Sequence, residues 1–326
     1  MLNEADIIQK LQAAFSSSSS GIVGIGDDAA VLPISDAESY VISKDILVEN
    51  RHFRLRYSDP ASLAHKALHV NLSDIAAMGA KPCFVMLGVA LPPTLASEWI
   101  ETFFVSFTEA CKKQNVQLIG GDTTASERDL FISVTVIGRA ENAHLKFRHG
   151  AKVGDVVCIA GDLGESHAGL VALEKNEAGM DIVKAKSLRP VARKREGLWI
   201  GEQTDVTAMM DVSDGFYVDL ERLLKASKVG AIVNLELLKP SKKLAEACAT
   251  LHLDVRECML IGGEDYALLL TISAGAYEKL DRDFEKEFGY PLIKVGAITA
   301  TDGLELRENG KPVPFTCKPF SHFGEL

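Results

Sequence analysis

Six short segments of the chain set a carboxylate beside glycine or a small hydroxyl. They are Gly24-Ile25-Gly26-Asp27-Asp28, Ser43-Lys44-Asp45, Asn71-Leu72-Ser73-Asp74, Gly120-Gly121-Asp122-Thr123-Thr124, Asp211-Val212-Ser213-Asp214-Gly215 and Gly262-Gly263-Glu264-Asp265-Tyr266. Each alone has an ordinary reading. Gly-Asp is a common turn, Asp214 could cap a helix starting at Gly215, and Ser73-Asp74 could lie on a solvated helix face. Taken together they point elsewhere. Asp74 stands within the largely apolar run Leu72 to Gly79, Asp122 follows Leu118-Ile119 and two glycines, and Asp211 follows Met209-Met210. A carboxylate close to a core is costly unless it is paired or bound to a metal. Lys44 is the one basic residue in these motifs, so hard cations are the economical partner. Magnesium takes oxygen ligands and commonly carries phosphates with it. The glycines let backbone N–H groups approach those phosphates closely.

The chemistry this suits is phosphoryl transfer, in which a protein mainly positions reactants and neutralises phosphate oxygens. Other phosphate and hydrolase signatures are missing. The chain has no G-x-x-x-x-G-K-[ST] loop, no kinase-type G-x-G-x-x-G and no G-x-S-x-G elbow.

The elements that must position these loops follow from the hydrophobic pattern. With 326 residues, 47% hydrophobic and 25% charged, the chain is globular and long enough for two domains. Helical spacing covers 5–15, 60–78, 95–113, 168–175, 190–200, 215–227, 242–249 and 275–288. Strand-like runs cover 22–32, 40–47, 83–91, 116–119, 130–138, 156–160, 231–236, 266–272 and 292–298. The mixture predicts a two-domain α/β and α+β chain, divided where the apolar pattern breaks at Arg148, into 1–147 and 148–326. Val136-Ile137-Gly138 and Val295-Gly296-Ala297 form a faint internal echo. The serine run Ser16 to Ser20 reads as a loop that could close over a nucleotide. A net charge of −10 speaks against nucleic acid and an anionic membrane as partners. No secretory signal or membrane span is evident, and six scattered cysteines without a C-x-x-C pair fit reduced, buried thiols in a cytoplasmic protein.

In this order and spacing, the motifs from Gly24 to Tyr266 resemble the thiamine-monophosphate kinase family, over nearly the whole chain. The resemblance implies an ATP- and magnesium-dependent phosphorylation of thiamine monophosphate to thiamine diphosphate, and a superfamily shared with aminoimidazole ribonucleotide synthetase and selenophosphate synthetase. It implies an N-terminal domain whose sheet joins a barrel across a homodimer, and a C-terminal α+β domain completing the site. By position it assigns Asp28, Ser43, Asp45, Asp74, Asp122, Asp211 and Asp214 to several magnesium ions, and Gly121, Asp122, Arg148 and Ser213 to ATP. His52, Glu264 and Phe320 fall to the acceptor, while Asp27 and Asp265 read as structural neighbours. The family often has threonine where this chain has Lys44, and an ammonium cannot ligate magnesium. The alternatives are a related superfamily enzyme with another acceptor, and a non-catalytic metal-binding module. The chain lacks a cysteine-lysine start and a cysteine ending, which speaks against two of those relatives. Carboxylates spread over the whole chain speak against a compact calcium loop.

Overall fold

The structure, a computed structural model, describes residues 4–15 and 21–315. Its helices are α1 (Glu4–Phe15), α2 (Pro60–Ala77), α3 (Ser97–Gln114), α4 (Glu165–Glu174), α5 (Asp181–Leu188), α6 (Lys194–Gly201), α7 (Phe216–Ser227), α8 (Lys242–Leu251), α9 (Val255–Ile261) and α10 (Tyr277–Phe288). Its strands are β1 (Ala30–Pro33), β2 (Glu38–Val48), β3 (Lys81–Leu91), β4 (Gln117–Ala125), β5 (Phe131–Glu141) and β6 (Val156–Ala160), followed by β7 (Val206–Asp211), β8 (Gly230–Asn234), β9 (Leu268–Ile272), β10 (Ile293–Thr299), β11 (Gly303–Glu308) and β12 (Lys311–Pro312).

The strands form two sheets. The first has the order β1-β2-β5-β3-β4, antiparallel except for the β3–β4 pair. Side chains alternate across it. Val41, Leu47, Val85, Leu87, Ile132, Val134 and Val136 pack on one face with α2 and α3. Tyr40, Ile46, Met86 and Phe131 stay exposed, on the opposite face by the same alternation. The second sheet has the order β12-β11-β8-β10-β6-β9-β7. All five residues of β6 are buried, because cores lie on both faces of this sheet.

Helix α2 links the two halves. Pro60 opens it, and Asp59 caps it by accepting from the Ser62 N–H at 2.9 Å. It packs against β2, β3 and β5 on one side and α6 and β7 on the other. That double burial explains why Leu68, Leu72, Ile75 and Ala76 are inaccessible to solvent, as the helical spacing predicts. It also makes the contact with α6 very close: a Cβ on Gly197 would lie 2.3 Å from the Ala76 carbonyl oxygen.

Strand β7, helices α5 and α9, and the short β11 and β12 were not apparent in the sequence pattern. The run 22–32 proves mostly irregular. It is extended only at β1 and at isolated bridges such as Val23 to Val31, and Gly26 within it takes a positive φ that breaks the strand. The exposed-edge strand β4 runs past the predicted 119 to Ala125. Ser16 to Ser20, Cys317 and Phe320 lie outside the described residues.

Substituting Gly197→Ala should cost about 1–3 kcal/mol through overpacking, whereas Gly275→Ala, with nothing within 4 Å of the new Cβ, should change stability little. Urea unfolding of both variants checks this; equal midpoints would contradict the α2–α6 packing.

Candidate functional site

Three carboxylates from distant parts of the chain converge. Asp28 comes from the loop before β1, Asp74 from the last turns of α2, and Asp211 from the end of β7. One oxygen from each lies within 4.8 Å of the others. Each is placed by its element. Asp74 follows the buried stripe of α2, so it faces inward. Ser43, on the inward face of β2, donates its hydroxyl to Asp74 Oδ2. Ser73 donates from the same helix to Asp211 Oδ2 at 2.6 Å. The Arg148 guanidinium donates to Asp28 Oδ1 at 2.7 Å, and its backbone N–H donates to Asp27. Asp28 Oδ2 is buried and has no hydrogen-bond partner.

Burial and like charge both raise the affinity of this cluster for protons or cations. Burial pushes the Asp74 carboxyl well above its ordinary range, and the neighbouring Asp45 and Asp211 push it further. Asp211 is raised by burial and then by Asp28. Asp28 is raised by burial even against the opposing pull of Arg148. Asp45 is raised to about 6, by burial and by Asp214. Asp27 is raised to about 7, by burial and then by Asp28.

The other predicted positions distribute around this triplet. Asp45 shares the inward side of β2 with Ser43, and its backbone N–H donates to the buried Asn71 side chain at 3.0 Å. Asp214 pairs with Arg222 at 2.6 Å. Ser213 donates its backbone N–H to Asp219 and accepts from the Glu264 N–H through its carbonyl. Asp122 is exposed on β4, outside the triplet, which corrects the expectation that it sits against a core. Gly121 beside it has a reason to be glycine: a Cβ there would sit 1.8 Å from the Leu87 carbonyl oxygen on β3. His52 accepts the Val48 N–H at Nδ1, 3.0 Å away, in the turn after β2. Glu264 is half-buried and held by Lys66. Asp265 accepts from the Gly164 and Ser166 N–H groups and so fills the start of α4. Lys44 points away from Ser43 and Asp45, towards Ser133 on the outer face. Its side chain is therefore absent from the acidic cluster, and only its backbone is near.

The sequence motifs contain one cation, yet the structure brings in Arg148, Arg222 and Lys66 from elsewhere. Arg148 was an expected nucleotide contact, but Arg222 and Lys66 were missed, and so was Asp219. It accepts from the N–H groups of Ser213, Asp214 and Gly215 at 3.0, 3.0 and 3.1 Å and so fixes the turn carrying Asp214. Its spacing from Arg222, three residues on a helix, was a signal available in the sequence. So was Lys66, the one lysine of α2, set beside Ala67 and Leu68.

Two half-chain family models match: AIR synthase related protein, N-terminal domain, over residues 26–140, and the C-terminal domain of the same group over 152–309. The two sheets, and the carboxylates gathered between them, are thus those of an AIR synthase-related protein. Thiamine-monophosphate kinase of Buchnera aphidicola (Schizaphis graminum) is 38% identical, covering 93% of each chain. The enzyme of Escherichia coli K12 is 36% identical, covering 92% of each. A solved structure of AaThiL complexed with AMPPCP and TMP superposes with a TM-score of 0.85 at 29% identity, covering 99% of this chain and 97% of that one. The chain belongs to the thiamine-monophosphate kinase family.

A group whose folded-state pKa is raised binds more protons folded than unfolded, so its contribution to stability falls as pH rises through that raised value. In metal-free protein this window runs from about 4 to about 6 for Asp45 and to about 7 for Asp27, and Asp211 is raised in the same direction. Asp211→Asn should therefore be at least as stable as the parent at neutral pH in chelator, with a shallower loss of stability as pH rises. Urea unfolding across that window measures the difference; identical slopes would contradict the mutual repulsion.

Proposed function

We propose that the chain catalyses transfer of the γ-phosphoryl group of ATP to the phosphate of thiamine monophosphate, giving ADP and thiamine diphosphate. Kinase function is carried by family membership, since relatives bearing this name match along almost the whole chain. The observation in this molecule that carries the reading is the convergence of Asp28, Asp74 and Asp211. A polyanion cannot approach such a cluster unless cations come between.

The donor set fits magnesium. It is all oxygen, it is rich in carboxylates, and one buried oxygen of Asp28 has no other partner. Asp28, Ser43, Asp45, Asp74, Asp122, Asp211 and Asp214 would hold several ions. When bound, magnesium would neutralise charge on the phosphate oxygens and screen the two anionic substrates from each other.

The chain's own groups do the positioning. Gly121 brings bare backbone to the strand beside Asp122, where a phosphate can approach. Arg148 and Ser213 contribute contacts to ATP, with Arg148 already oriented by Asp28. Asp219 holds the Ser213–Gly215 turn in place. His52, Glu264 and Phe320 orient the acceptor. Transfer is direct and in line. The acceptor phosphate is already an anion, so no strong general base is needed.

The division into 1–147 and 148–326 falls between the two family-model matches. We also assign a homodimer in which the first sheet joins its copy; its outward apolar residues Tyr40, Ile46, Met86 and Phe131 support this. Five described cysteines are free, which supports the reducing cytoplasm. Among the described residues, no helix is long and apolar enough to cross a membrane.

Incubation with ATP, magnesium and thiamine monophosphate should yield thiamine diphosphate. Asp122→Asn and Asp211→Asn should each lose most of this activity, on the order of 10²-fold or more, while remaining folded. Retained activity in both variants would overturn the ligand assignment, and folded parent protein that makes no product would overturn the function.

A further inference from the structure

Lys66 is a buried charged residue on a helix whose buried residues are mostly apolar. It lies on the inward stripe of α2, one turn after Leu63, and is 5% exposed. Its ammonium reaches across to the second half of the chain, 2.8 Å from Glu264 Oε1 and 2.8 Å from Oε2. A further contact, 3.3 Å long, goes to the carbonyl of Ser187 in α5. All three ammonium donors thus have acceptors, which is what makes so deep a burial of a lysine tolerable.

The residue it holds sits in a constrained loop. Glu264 has φ 63 and Tyr266 φ 50, both in the left-handed region that non-glycine residues avoid. Such a backbone persists only when its surroundings over-determine it. Here the Glu264 N–H donates to the Ser213 carbonyl at 2.8 Å and the Tyr266 N–H to the Val212 carbonyl at 2.9 Å. The loop is thereby tied to the turn bearing Asp211 and Asp214. Burial pushes the Tyr266 phenol up, and the negative charge of Glu264, Asp45, Asp211 and Asp74 pushes it further.

We propose that Lys66 is a positioning residue for the acceptor: it clamps Glu264 in one orientation, so that the free lone pairs of the carboxylate meet the incoming thiamine monophosphate. A bidentate contact to one ammonium fixes both oxygens and leaves the pair without net charge. The pair therefore offers directed acceptance to an N–H donor of the substrate, in place of a diffuse negative field. This rests on the reading of Glu264 as an acceptor contact. It adds a residue from the first half of the chain that acts only through Glu264.

The test is steady-state kinetics of Lys66→Met, Lys66→Arg, Glu264→Gln and the double variant Lys66→Met/Glu264→Gln, varying each substrate separately. Lys66→Met and Glu264→Gln should each raise KM for thiamine monophosphate about ten- to hundred-fold, with KM for ATP changed less than about two-fold. The double variant should be no worse than Glu264→Gln, and Lys66→Arg should recover part of the loss. If Lys66→Met does not fold, the comparison of the double variant with Glu264→Gln decides, since removing both charges leaves neither buried unpaired. A Lys66→Met effect equal on both substrates, or one that adds fully to that of Glu264→Gln, would overturn the clamp while leaving Glu264 as an acceptor contact. An unchanged KM for thiamine monophosphate in Glu264→Gln would overturn both.

Discussion

Three buried carboxylates held within one ion's reach of each other govern the rest of this structure. Asp28, Asp74 and Asp211 are contributed by a loop, a helix and a strand separated by most of the chain. Bringing them together costs free energy through desolvation and mutual repulsion. The fold opposes that cost with packing: α2 is buried between two sheets, and Asp74 is carried on it. Hydroxyls from Ser43 and Ser73, and the guanidinium of Arg148, offset part of the charge. What remains is a site whose own charge is incompletely balanced, and this is the ground on which we propose that it holds cations.

That imbalance accounts for the division of labour between the halves. In the proposed site the first sheet would supply Ser43, Asp45 and the Gly121-Asp122 strand. The second would supply Asp211, Ser213 and Asp214, the last two on a turn that Asp219 ties together through three N–H groups. Helix α2 belongs to both, carrying Asn71 and Asp74 towards β2 and Lys66 and Ser73 towards the second half. A chemistry that needs several anions to meet would be served by residues on such rigid elements, because small displacements weaken the balance of close charges. The glycines mark the places where backbone must approach backbone, as at Gly197 on Ala76 and Gly121 on Leu87.

The sequence made much of this legible, for identifiable reasons. The stripe of α2, with its Asp59-Pro60 start, is a long helical signal, and Asp74 inherits its position from it. The ordered acidic motifs carried the family. Contacts made across the chain were not legible: nothing local to Asp28 announces Arg148, and nothing local to Glu264 announces Lys66. Short elements such as β7 were missed because Val206 to Asp211 shows no alternation, being almost wholly buried. The exposure of Asp122 was misjudged because β4 is an edge strand whose apolar residues Leu118 and Ile119 are themselves exposed, so an apolar run there does not mark a core.

The central claim is that cations are required before the site can accept a polyphosphate. Calorimetric titration of ATP into the metal-free protein, with and without magnesium, tests it directly. The account predicts that ATP binding with magnesium is at least on the order of a hundred-fold tighter than in chelator, and that Asp74→Asn removes most of this difference. Equal ATP affinity in chelator and in magnesium would contradict it.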